Sequence, residues 1–146
     1  MSIEDDVALL ERVPTLRLLG NTALRMLAIG SEQRDFARGD VLFNAGDDAD
    51  AGYIVQRGAF RVEDGGAEII AGPGALIGEL ALIVAMRRPS TAIAIEHSTV
   101  IRVARSLFQR VLESDPAAAR RLRDELATRT SQLASDILMA GAKLSI

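Results

Sequence analysis

The 146-residue sequence predicts an α+β fold in which an antiparallel barrel or sandwich is flanked by helices at both ends. Three observations predict it. Between Glu32 and Arg105 short alternating or apolar runs recur at roughly 8–12-residue spacing, separated by Gly, Asp and Asn turns. Before Glu32 and after Arg105 the apolar residues return instead at helical spacing, behind capping residues. No internal repeat, linker or low-complexity tract divides the chain, and this length suffices for one substantial core.

Taken in order, Ser2 and Asp5 have capping-box spacing ahead of Val7, Leu10 and Val13, which predicts a short first helix. Asn21 is a candidate N-cap for a second helix carrying Ala23, Leu24 and Leu27 and ending at Gly30. Strands are predicted at Val41–Phe43, Tyr53–Gln56, Phe60–Val62, Glu68–Ala71, Thr91–Ile95 and Val100–Val103, with Asp64-Gly65-Gly66 as a hairpin turn. Ser106 precedes Leu107, Phe108, Val111 and Leu112 in a helical pattern. Asp115 and Pro116 form an N-cap and N1 pair that opens a long final helix. Its Leu122, Leu126, Leu133 and Ile137 fall within roughly 60° of arc at 100° per residue. The chain 1–146 therefore reads as a single domain, with N-terminal helices over 1–31, a β region over 32–105 and C-terminal helices over 106–146.

Composition excludes several functions. Aliphatics dominate the 49% hydrophobic content and aromatics make up only 3%, so packing rests on Leu, Ile, Val and Ala. The absence of cysteine excludes disulfides, thiolate metal sites and cysteine nucleophiles, and it fits a reducing compartment. The single histidine, His97, reads as a turn residue between two strands; with no cysteine beside it, zinc, haem and iron–sulfur sites have no ligand set. Gly-x-Ser-x-Gly is absent, so the chain is not expected to be an enzyme or to carry a cofactor. The acidic N-terminus lacks the regions of a signal peptide, and no apolar run approaches the ~20 residues of a membrane span. A cytoplasmic domain without a membrane partner is expected. The net charge of -3 offers no footprint for non-specific nucleic-acid binding. Arg120, Arg121, Arg123 and Arg129 are interrupted by Asp124 and Glu125, and Glu125 and Arg129 are spaced as a helix pair, so this stripe reads as a solvated face. The heptad positions after Leu122 are Arg129 and Asp136, which gives no zipper pattern for a dimer.

The chemistry is concentrated in Ile77-Gly78-Glu79-Leu80-Ala81-Leu82 and in Arg87-Arg88-Pro89-Ser90-Thr91-Ala92. A glycine turn followed by a helix start presents unpaired N–H groups and a positive dipole end to an anion. An arginine adds a planar fork of donors suited to two phosphate oxygens. A glutamate only accepts, so it belongs on a hydroxyl such as a ribose 2′-OH. Phosphate and sugar are both provided for within about a dozen residues.

These residues resemble the cyclic-nucleotide-binding domain family, whose phosphate-binding cassette reads approximately Phe-Gly-Glu-Leu-Ala-Leu, a short spacer, then Pro-Arg-Ala-Ala-Thr-Val. The stretches 36–43, 45–50 and 53–58 resemble the family's successive strands and glycine turns, and matched elements run from about residue 7 to about residue 139. The resemblance implies an antiparallel β-roll (a jelly-roll-like barrel) with short N-terminal helices, a cassette helix within 77–92 and a long C-terminal helix. It implies a cyclic nucleotide as ligand, with Arg88 on the phosphate, the Ala81 N–H as a further donor, Gly78 as the turn that lets the ligand approach, and Glu79 on the ribose. Leu80 and Ser90 complete the cassette, while Val62, Ile69 and Ala71 match positions that line the purine; barrel interior is the alternative reading of these three. Arg87 is one residue out of register and reads as solvated or paired with a surface acid. The departure from the family is Pro89, which stands where Ala, Ser or Thr usually gives an N–H to the phosphate. Proline has none, and losing a donor to an anion costs roughly 1–3 kcal/mol unless Ser90 replaces it. Guanosine-preferring members often place a Thr there, so Pro89 favours cAMP over cGMP. The chain ends at Ile146 without room for the helix-turn-helix of the catabolite activator protein, so no nucleic-acid partner is expected. The implied function is a regulatory module that couples cAMP binding to its C-terminal helix and so to a protein partner. A second reading keeps the fold but makes the pocket degenerate and the domain a constitutive interaction module.

Overall fold

In a computed structural model the chain is described over residues 2–64 and 66–128. The N-terminal layer starts as the capping signal requires. Ser2 Oγ accepts from the Asp5 N–H at 3.2 Å, Asp5 Oδ2 accepts from the Ser2 N–H at 3.5 Å, and helix α1 runs Ile3–Glu11 with Val7 and Leu10 buried. Pro14 then sits in the first turn of a four-residue helix α2, Pro14–Arg17. Helix α3 spans Asn21–Gly30 and buries Ala23, Leu24, Leu27 and Ala28. Its N-cap is Gly20, not Asn21: the chain turns there at φ 86°, which suits glycine, and Asn21 already lies inside the helix and makes no side-chain cap.

Among the described residues ten strands come next, all paired antiparallel: β1 Glu32–Phe36, β2 Val41–Phe43, β3 Asp48–Ala49, β4 Ala51–Arg57, β5 Phe60–Asp64, β6 Ala67–Ala71, β7 Leu76–Ile77, β8 Met86–Arg87, β9 Thr91–Ala94 and β10 Ser98–Ala104. One sheet has the order β1-β10-β4-β7 and the other β2-β9-β5-β6, and β3 and β8 form a separate two-stranded ladder. Each of the six strand runs predicted from the sequence falls on an observed strand. Those not foreseen have physical reasons to be silent. Glu32 to Asp35 of β1 are polar and exposed on a sheet edge, held by backbone pairing to β10, and β3, β7 and β8 are two residues long.

The core has two compartments divided by β4 and β10. Tyr53, Val55 and Val100 face the inside of the roll with Phe43, Phe60, Ala92 and Ala94. Ile54, Ile101 and Val103 face the helices, against Leu10, Leu16, Leu24, Leu27 and Phe108. Both faces of β4 are covered, so its sequence is apolar without a break from Ala51 to Val55.

After β10 the chain passes directly into helix α4, Arg105–Ser114, whose N-cap is Ala104; Ser106 lies within the helix and does not start it. Helix α5 occupies residues 116–128 of the described chain, and Asp115 caps it by accepting from the Ala118 N–H at 3.1 Å. Ala118 and Leu122 join the helical core. Arg121 donates to the carbonyls of Leu18 (2.7 Å) and Leu19 (3.0 Å), so one arginine of the expected solvated stripe anchors α5 to the α2–α3 connection. Leu133, Ile137 and Arg129, the expected partner of Glu125, lie outside the described residues. Arg121→Met should lower stability to urea by about 1–2 kcal/mol, because charge-assisted hydrogen bonds to two carbonyls are lost. Arg123→Met, on an exposed position of the same helix, should change it by less than about 0.5 kcal/mol.

Candidate functional site

A cleft of about 380 Å³ opens between β6, β7, the 78–82 turn and the 86–90 segment. All ten residues singled out from the sequence line it: Val62, Ile69, Ala71, Gly78, Glu79, Leu80, Ala81, Arg88, Pro89 and Ser90.

The main chain of Arg88 is clamped by the 44–47 turn. Asp47 Oδ2 accepts from the Asn44 N–H at 2.9 Å and the Asp47 N–H donates back to the Asn44 carbonyl at 3.1 Å, closing the turn. The turn then donates from Gly46 N–H to the Arg88 carbonyl (2.8 Å) and accepts the Arg88 N–H at the Asp47 carbonyl (2.7 Å). Arg88 is only 5% exposed. Its Cζ lies 4.2 Å from the Phe43 ring centroid and 5.5 Å from that of Tyr53, and Nη2 donates to the Ala51 carbonyl at 2.7 Å. Burial pushes the Arg88 pKa down from its usual value, opposed by Tyr53 and Asp50. Among the described residues no carboxylate forms a salt bridge with it. By contrast Arg87 is exposed and reaches Asp48 at 4.0 Å, the surface pairing expected of it.

Gly78 has φ 80° and ψ 40°, the left-handed region. A Cβ here would fall on Arg88 Nη1 and lie 3.4 Å from the Ala51 carbonyl, so glycine answers both the backbone and the arginine. The chain continues into the short cassette helix, which is a single 3-10 turn over Glu79–Leu82. Within it the Ala81 N–H donates to the Gly78 carbonyl at 3.1 Å, so the donor assigned to an incoming phosphate is engaged in the turn. Leu82 enters the helical core, and Glu79 Oε1 accepts from the Thr15 hydroxyl at 2.7 Å.

Of the residues assigned to the purine, Ala71 belongs to the roll interior, Val62 packs half-buried against it, and Ile69 is 58% exposed, so Ile69 is not barrel interior. With Ile70 and Leu80 it gives the cleft an apolar mouth. Pro89 is exposed and Ser90 buried. Phe43, Tyr53 and Thr15 are the functional neighbours that sequence reasoning missed, since each is far along the chain from the residue it touches and carries no motif. His97 lies exposed in the bend between β9 and β10. Among the described residues no three His, Cys, Asp or Glu are grouped to hold a metal, and no helix is long and apolar enough to cross a membrane.

Fold and cleft define an α+β roll with a buried arginine on its cleft wall. The cyclic nucleotide-binding domain family matches residues 33–115, and the chain belongs to that family. Solved structures agree. A cyclic nucleotide-binding-like protein from Brucella abortus is 37% identical, with a TM-score of 0.67 over 75% of this chain and 98% of that one. The N-terminal domain of a transcriptional regulator from Streptomyces coelicolor is 28% identical, with a TM-score of 0.77 over 86% of this chain and 94% of that one. Among full-length relatives, a Neurospora crassa lysophospholipase is 30% identical over 92% of this chain, and the Mycobacterium tuberculosis HTH-type transcriptional regulator Cmr is 32% identical over 72% of it. The chain spans only 9% of the first and 45% of the second.

Gly78→Ala should cost about 1–3 kcal/mol of stability, from left-handed strain plus the collision with Arg88. It should also change the emission of Tyr53, the only tyrosine in a chain without tryptophan. Gly39→Ala, equally strained at φ 89° but with nothing within 4 Å, should lose stability and leave Tyr53 emission unchanged. Equal spectra in the two variants would contradict the packing of Arg88 on Gly78.

Proposed function

We propose that the chain is a regulatory module that binds a cyclic nucleotide, with cAMP favoured over cGMP. The observation that carries this is Arg88, a buried guanidinium on the cleft wall that makes no salt bridge among the described residues. A buried charge is costly unless an opposite charge meets it, and a cyclic phosphate entering the cleft supplies one. Glu79 accepts from the ribose 2′-hydroxyl, and the base lies against Val62, Ile69, Ala71 and Leu80. Pro89 has no group to meet a guanine amino group. Transcriptional regulators among the relatives support a regulatory role. Ala118, Leu122 and Arg121 fix the first part of α5. Closure over the base is assigned to residues 133–139, which lie outside the described residues.

Two features favour the second reading, a degenerate pocket in an interaction domain: Pro89 lacks an N–H, and the Ala81 N–H is engaged. A thermal shift separates the readings. cAMP at a hundred times its Kd should add about 2.7 kcal/mol to the folded state, and a non-binding pocket should add nothing.

Arg88→Lys keeps the charge and loses the fork and the stacking geometry, so cAMP affinity measured by calorimetry should fall at least about tenfold. Undiminished affinity would remove Arg88 from the anion site. Pro89→Ala restores a donor and should tighten cAMP binding by up to about 1–3 kcal/mol. If affinity stays the same, Ser90 or the neighbouring backbone already meets the phosphate.

A further inference from the structure

Thr15 is a buried threonine in α2, 6% exposed, and its hydroxyl donates to Glu79 Oε1 at 2.7 Å across 64 residues of sequence. One end of this bond stands on the N-terminal helices and the other on the turn that lines the cleft. Leu16, the next residue, is fully buried in the helical core, so Thr15 cannot shift without disturbing packed neighbours. A hydroxyl has one proton to give, and here it is directed at a carboxylate. A carboxylate accepts from several donors, so this bond does not compete with a ribose hydroxyl. It fixes the rotamer in which that hydroxyl is met.

We propose that Thr15 is a positioning and specificity residue for the ribose 2′-hydroxyl, and that through it the N-terminal helices register an occupied cleft. The inference rests on the reading of Glu79 as the ribose contact. If holding Glu79 in place favours the ligand, then ligand contact with Glu79 must steady α2 by the same coupling, because linkage is reciprocal. The effect is confined to nucleotides that carry the 2′-hydroxyl, since only that group reaches the restrained carboxylate.

Calorimetry with cAMP and with 2′-deoxy-cAMP tests this on the full chain. The unaltered protein should prefer cAMP by roughly tenfold or more, the scale of one charge-assisted hydrogen bond. Thr15→Val, close in shape but without the donor, should cut that preference to about threefold or less while leaving 2′-deoxy-cAMP affinity nearly unchanged, and Thr15→Ser should restore it. A merely structural role would weaken both nucleotides alike and leave their ratio intact, which would overturn the proposal. Should Thr15→Val fail to fold, hydrogen exchange on the unaltered protein decides. Amides of residues 15–18 should gain protection with saturating cAMP and markedly less with saturating 2′-deoxy-cAMP, and equal protection would overturn the proposal. An unaltered protein that binds neither nucleotide would overturn the function proposed above and this inference with it. Binding of both with no change of ratio in Thr15→Val overturns this inference alone.

Discussion

A guanidinium held at 5% exposure against two aromatic rings is the constraint on which the cleft depends. Desolvation works against that charge, and the local structure is organised to offset it. Phe43 and Tyr53 offer ring faces, the Ala51 carbonyl accepts one N–H, and the 44–47 turn holds the main chain by two hydrogen bonds. Gly78 completes the arrangement by having no side chain where Nη1 lies. The glycine of the Gly-Glu-Leu sequence is therefore required by an arginine ten positions away, as well as by the turn.

Strand β4 is the wall through which this site reaches the rest of the molecule. Ala51 accepts from Arg88, Tyr53 stacks on it, and Ile54 between them and the helices packs into the other compartment. Immediately before the strand, the Asp50 carbonyl accepts the Arg105 N–H at 2.8 Å, the Ala49 carbonyl accepts from Arg105 Nη1 at 2.7 Å, and the Asp50 carboxylate pairs with Arg102 at 3.1 Å. Burial pushes the Arg102 pKa down, and Tyr53 and Asp50 reverse that into a net rise, so the favourable contacts prevail. The tyrosine that faces the cleft-wall arginine thus also faces the arginine that ties β10 to this corner.

The roll was legible because its strands alternate or run apolar between turn residues, and seven of the ten residues singled out for the cleft could be picked out because they cluster between Gly78 and Ser90. What escaped was set by contacts between distant parts of the chain. The polar sequence of β1 carries no period, since backbone pairing to β10 and not burial makes it a strand. Asn21 has a good capping side chain, but a left-handed turn at Gly20 takes the cap position one residue earlier. Nothing local to Arg88 marks it as buried, and only tertiary packing brings Phe43 and Tyr53 around it. The 79–82 segment reads as a helix start and is one, but its restriction to a single 3-10 turn follows from Leu82 entering the helical core, which the local sequence does not show.

That tight turn is gripped from two sides by the same helical layer. At its start Glu79 is bonded to Thr15 of α2. At its end Arg105, the first residue of α4, donates to the carbonyls of Ala81 (3.1 Å) and Val84 (3.2 Å), and Leu82 is packed beneath. A turn so fastened cannot deform by small independent adjustments, because its attachments are directional bonds and its packing is close. Any displacement of Glu79 or Ala81 relative to β4 has to be matched by a change at Thr15, at Arg105 or at both. Arg105 also donates to the Ala49 carbonyl, so the first residue of α4 contacts both the turn and the residues just before β4. One hydroxyl and one guanidinium thus stand between the cleft-lining turn and two different helices.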